Sequence, residues 1–332
     1  MTFGEHVRIK IPALLQAAIG MVAFIGIEYF AYFIFELFGI DQTIYRGVFN
    51  TIAAIVIFVA MFVFHKIVSR KNTPLIRLEK ITPDQVAALT IVGIGMLGFV
   101  ATYIGIANRI SAYYEPVREA YVEYQDNVDR YSEVSQTVVP VWDSLLYAFT
   151  VSFLVPVSEE MAFRGVVYGS LRKGFGPWVS VIISAVFFGL MHGVSMHIGY
   201  ALVCGFIIAG CYHLTENLIA PMILHTVFNI FGSGIANVFE IEQLGISEDT
   251  RSTILTAINL TSIIIMPVAV IAFAYLVSVK RKRKADKKKV EEYIAGREEE
   301  KAEATGDDTE PSTETAAVAA DAEENGTAGE EA

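Results

Sequence analysis

Cysteine is almost missing from this chain: among 332 residues only Cys204 and Cys211 occur, seven apart in one apolar stretch. That spacing excludes a disulfide framework and a CxxC metal knuckle, and leaves both residues as small buried hydrophobes. Charge is scarce too, at 18% of residues against 54% hydrophobic. Most of the acid sits in the tail: residues 291–332 hold 15 Asp or Glu against Arg297 and Lys301, a balance of −13, so that residues 1–290 carry +2. The overall −11 therefore reports a tail and gives no sign of an acidic or basic substrate. Nothing in this balance calls for a nucleic-acid partner.

What is abundant is apolar length. A mean hydropathy of +0.48 excludes an ordinary soluble globule. Windows able to span a bilayer, at roughly 20 residues each, fall at 11–38, 47–68, 86–107, 141–170, 177–192, 198–215, 219–238 and 254–279. The expected fold is all-α: a polytopic membrane helix bundle of about eight transmembrane helices. Arg8 and Lys10 precede the first window as they would in a signal peptide, but the run is too long and lacks a small-x-small cleavage site, so it reads as a retained span.

The loops orient the bundle. The stretch HKIVSRKNTPLIRLEK is basic, Arg172 and Lys173 follow the fourth window, and the last window runs into KRKRKADKKK, whereas 39–46, 108–140 and 239–252 are neutral to acidic. Basic loops collect on the cytoplasmic side, so both termini are expected there, in a multi-pass protein of the cell membrane. The segment from Asn108 to Pro140 spaces acids and aromatics three and four apart, which predicts an external amphipathic helix. After Ala285 large apolar residues almost vanish, so 285–332 reads as a disordered acidic cytoplasmic tail. The divisions are then 1–140 for the first three helices and external loop, 141–238 for the core bearing the polar motifs, 239–284 for the last loop and helix, and 285–332 for the tail.

Within the oily core lies SEEMAFRG, Ser158 to Gly165. Ionisable groups in such surroundings are costly and mark functional candidates. At about 100° per residue, Glu160 and Arg164 are i,i+4 neighbours while Glu159 points elsewhere. Arg164 thus neutralises Glu160 and leaves Glu159 free for a partner. An interhelical ion pair that only fixes packing explains the same residues. Two more helices add polar groups: WVSVIISAVFFGLMHG ends with His192 four residues after Phe188, and NLIAPMILHTVFNIF carries His225 and Asn229 on one face. One glutamate with two histidines is the ligand set of a hydrolytic zinc site, or of a carboxylate-activated water. His6, His65, His197 and His213 read as interfacial or bystander residues. Glu28, inside the first span, reads as protonated, paired, or part of a polar cavity.

EEMAFRG resembles the EExxxR motif, FFGLMH the FxxxH motif, and ENLIAPMILHTVFN the HxxxN motif of the CPBP intramembrane proteases, also called the CAAX protease and bacteriocin-processing or Abi family. The resemblance covers about residues 145–232, with all three motifs in order. It implies peptide-bond hydrolysis in the membrane: Glu159 activating water, His192 holding that water or a metal, His225 with Asn229 stabilising the oxyanion, and Glu160 with Arg164 in support. Zinc stays open, because no HExxH occurs; if a metal binds, Glu159, His192 and His225 are the ligands the resemblance implies. The partners would be a membrane-associated peptide or protein substrate, such as a prenylated or leader peptide, and the lipid bilayer. A non-catalytic scaffold or a transporter using the same cluster is the alternative. One tension concerns depth: a straight helix from Trp178 puts His192 about 20 Å above a Glu159 near the cytoplasmic end of its own helix, unless Pro156 kinks that helix, residues 171–180 dip into the membrane, or the boundaries shift.

Overall fold

The structure is a computed structural model describing residues 3–69, 74–134, 139–193 and 195–305. Among these the chain is helical, with no strand and a single isolated bridge between Leu78 and Asn217. The helices are α1 (Phe3–Leu37), α2 (Arg46–Val68), α3 (Pro83–Ser111), α4 (Glu115–Val134), α5 (Val141–Leu171), α6 (Pro177–Leu190), α7 (Ser195–Thr215), α8 (Ile219–Phe239) and α9 (Glu248–Thr305). Seven of them are long and apolar enough to cross a membrane. α6 is not: its 14 residues reach about 21 Å at 1.5 Å per residue, short of a hydrocarbon core of about 30 Å. The expected fifth span, 177–192, is therefore a short helix, ended at Gly193, whose φ of +74° most side chains avoid.

Residues 1–277 form one compact unit. Helices in lipid gain little from apolar burial against one another, so contact depends on close packing and small residues. α7 meets α6 at Gly205, where a Cβ would come within 2.9 Å of Phe188, and α8 meets α5 at Gly234, where a Cβ would collide with Ser152 Oγ. Around them Phe24, Met161, Phe163, Val166, Tyr168, Phe188 and Tyr212 build a buried cluster. α3 starts on a capping box, Thr82 and Gln85 with Pro83 between them. α2 has no such local device. Its free N–H groups at Gly47 and Val48 donate to the wholly buried carboxylate of Asp143 on α5, at 2.8 and 3.0 Å.

The first two basic loops meet at one end. Arg77 pairs with Glu216 at 2.8 Å, Arg172 donates to the Pro74 carbonyl, Leu218 N–H donates to Arg77 O, and Lys10 lies over the Phe175 ring. α4 is the expected amphipathic helix; it is tied to the start of α7 by Ser195 Oγ donating to Glu123 and by Tyr124 against His197. The second unit, residues 278–332, is described as far as Thr305 and is helical there. Residues 285–305 continue the helix of α9: alanine, glutamate and lysine are strong helix formers, and Lys288 with Glu292 makes an i,i+4 pair. Residues 306–332 lie outside the described residues.

Candidate active site

α5 carries EExxxR on a backbone that is not a plain α-helix. π-helical segments occupy Thr150–Leu154 and Met161–Tyr168, and a third, Ile230–Gly234, follows Asn229 on α8. Such segments concentrate at functional sites. Here one has a legible cause. The Val155 N–H reaches back five residues to Thr150 O, so in that register the donor for Val151 O would be residue 156, which is proline and has no N–H. Asn229 Nδ2 donates to Val151 O instead, at 2.8 Å.

Glu160 and Arg164 are both fully enclosed and 2.8 Å apart, as their spacing predicts. The guanidinium has further partners: Nη2 donates to Gly205 O at 3.1 Å, and its carbon stands 4.5 Å over the Phe188 ring. Glu160 Oε1 also meets His225 Nδ1 at 2.7 Å. A carboxylate only accepts, so Nδ1 carries the hydrogen and Nε2 faces the other way. There it lies 3.7 Å from Glu159 Oε2. Glu159, at 21% side-chain exposure against 0% for Glu160, is the open carboxylate of the two. The two adjacent glutamates differ in their contacts as the helix angles predict, with one addition: Glu160 meets His225 as well as Arg164.

His192 sits in the turn after α6, its Nδ1 2.8 Å from Phe188 O. The carbonyl accepts, so Nδ1 holds a hydrogen and Nε2 is left for other work. Phe188 is the common wall: its ring lies 4.7 Å from His192, 5.8 Å from His225 and 5.1 Å from Phe163. Glu159 stands 12 residues, about 18 Å, from the end of α5 at Leu171, and α6 climbs about 21 Å back from Pro177. The depth tension therefore dissolves: Glu159 lies inside its helix, not at the boundary. Asn229, expected as an oxyanion donor, spends one amide hydrogen on Val151 O. Three residues carry more than the sequence suggests. His197, read as a bystander, has its ring 5.0 Å from His192; Phe188 is the hub named only as a spacing mark; and Glu28 lies within electrostatic reach of Glu159.

Among the described residues, no group of three or more His, Cys, Asp or Glu side chains is placed to hold a metal ion. His225 gives Nδ1 to Glu160 and His192 gives Nδ1 to Phe188 O, which leaves Nε2 of each ring open.

A polytopic helical membrane protein with a buried Glu–Arg–His cluster is the class that fold and site define. Residues 141–231 match the family described as Rce1-like, type II CAAX prenyl endopeptidase Rce1-like, so the motif region is that of a CPBP-family protein. "Putative membrane peptidase YdiL" of Bacillus subtilis (strain 168) is 29% identical over 109 residues, 32% of this chain and 45% of that protein. "UPF0177 protein YxdF" of Lactococcus lactis subsp. lactis (strain IL1403) is 35% identical over 89 residues, 26% of this chain and 49% of that protein. The chain spans about half the length of the curated relatives it matches. No solved structure matches it.

Proposed function

We propose that this protein is an intramembrane endopeptidase that cleaves a membrane-embedded or membrane-proximal peptide with a glutamate-activated water. The convergence of Glu159, Glu160, Arg164 and His225 in direct contact, inside the segment that matches the Rce1-like family, carries the reading. Glu159, the open carboxylate, takes the proton of the attacking water as the C–O bond forms and returns it to the amine nitrogen as the C–N bond breaks. His192, with Nδ1 held by Phe188 O, offers Nε2 to that water. His225, its Nδ1–H held by Glu160, acts here as the imidazolium, so that Nε2 also carries a hydrogen and donates it to the carbonyl oxygen as negative charge develops there. Asn229 adds its remaining amide hydrogen and fixes the α5 backbone beside the site. Arg164 holds Glu160 in place.

A mostly apolar cleft of about 570 Å³ between α5 and α8 is lined by Phe149, Phe153, Ile235 and Ile230, the residue after Asn229; in this reading it is the route by which a membrane peptide approaches. Glu28 joins the same locus, so the polar groups gather at one place instead of marking a path through both leaflets. That favours hydrolysis over transport. We further place the protein in the cell membrane with both termini cytoplasmic, the side of the clustered basic loops, which accessibility labelling of terminal cysteines from either face checks. Zinc would require His192 and Glu159 to close on His225, and the metal content of the purified protein decides it. The proposal is tested by reconstituting the protein with candidate membrane peptides: cleavage must be lost in Glu159→Gln and His192→Ala while both variants stay folded. Retained cleavage in both ends it.

A further inference from the structure

α1 lies antiparallel to α5, and their contacts form a ladder with a regular register. Lys10 stands over Phe175; Gly20 is pressed against Val166, where a Cβ would come within 2.6 Å of that side chain; and Phe24 meets Phe163 edge to face at 5.5 Å. One turn further along α1 is residue 28. One turn back along α5 is residue 159. Each step is about 6 Å along its own axis, so the next rung pairs Glu28 with Glu159, and the two carboxylates do interact electrostatically. Glu28 is only half-buried, and it is the single charged residue between Lys10 and Glu36. Among the described residues no ion pair or hydrogen bond to its side chain occurs. Arg164, the cation of the site, is spent on Glu160, Gly205 O and the Phe188 face. Glu160 Oε2, wholly buried in the same cluster, also has no hydrogen-bond partner.

We propose that Glu28 is a specificity-determining residue of the site, an acidic wall on the α1 side that receives a cationic side chain, lysine or arginine, of the bound peptide. The proposal rests on the protease reading and extends it. A carboxylate without a partner in an apolar span is costly, and a donor that arrives with the substrate removes the cost only in the complex. Discrimination on this basis is strong, because a peptide lacking the cation leaves the acid unmet.

The experiment separates binding from cleavage. Protein carrying Glu159→Gln, reconstituted in phosphatidylcholine vesicles, is mixed with photo-crosslinkable single-span leucine–alanine peptides bearing one Lys, Gln or Glu at each of five central positions. Neutralising Glu159 isolates the share of Glu28. At one position the Lys peptide is expected to crosslink on the order of tenfold more than the Gln peptide, and the Glu peptide less than either. Adding Glu28→Gln should abolish the preference, and adding Glu28→Lys should invert it toward the Glu peptide. Thermal unfolding of each variant shows that the fold is kept. A Lys preference that survives Glu28→Gln, or no preference at any position, overturns the proposal, and neither result touches the cleavage test of Glu159 in the otherwise intact protein.

Discussion

Replacing Arg164 with methionine strands Glu160. Both side chains have 0% exposure, so no solvent is available to screen the charge that remains. Breaking a buried pair from one side costs about 3–5 kcal/mol. The present geometry gives no reason for a smaller figure, since among the described residues the other side-chain partner of Glu160 is His225 Nδ1 at 2.7 Å. Removing both charges together costs far less. In Glu160→Gln/Arg164→Met the glutamine oxygen still accepts from His225 Nδ1, and the methionine still covers the Phe188 ring, so the double variant should lie within about 1–2 kcal/mol of the parent. The single Glu159→Gln should cost under about 1 kcal/mol, because Glu159 is partly exposed and its nearest partner is 3.7 Å away. Reversible unfolding of the detergent-solubilised protein measures all of these. If Arg164→Met is as mild as Glu159→Gln, or if the double variant loses the sum of its singles, the division of labour between the two glutamates is wrong.

Asn229→Ala should cost about 1 kcal/mol by leaving Val151 O without a donor; in a Pro156→Ala background, where residue 156 regains its N–H, the cost should shrink, and unfolding data from the double-mutant cycle read the coupling. Asp143→Ala removes the acceptor for two N–H groups at the start of α2 and should destabilise by about 1–2 kcal/mol, with faster amide hydrogen exchange at Gly47 and Val48 as its local signature. Phe188→Ala should cost about 3–5 kcal/mol by opening a cavity and also lower cleavage, whereas His192→Ala should lower cleavage alone; a peptide assay beside unfolding separates them. Zinc analysis of the purified protein, with cleavage assayed before and after chelation, tests the metal: cleavage that survives complete metal removal supports the direct glutamate mechanism.

Much of this site was legible because its spacing is helical. Glu160 and Arg164 at i,i+4 could hardly avoid each other, and the ordered motifs place His192 and His225 on the helices that pack there. Span lengths were legible as well, since apolar runs are set by the bilayer. What escaped was whatever depends on neighbours in space. The joint hold of Arg164 and His225 on Glu160, the place of Phe188 between three side chains, and the rung that brings Glu28 to Glu159 come from contacts across more than a hundred residues in some cases. The π-helical segments also escaped: Pro156 suggested a kink, but the backbone answered with a changed register and borrowed Asn229 as a donor. His197 looked idle because a turn hides proximity that only the structure displays. The helix that continues to Thr305 follows from local helix propensity, which composition poor in core formers does not reveal.

The account rests on Glu159 as the group that activates water. The most direct measurement is cleavage of a membrane peptide by purified protein in liposomes, followed by mass spectrometry, for the parent and for Glu159→Gln at matched folding. The account predicts product from the parent and none from the variant, and comparable product from both would contradict it.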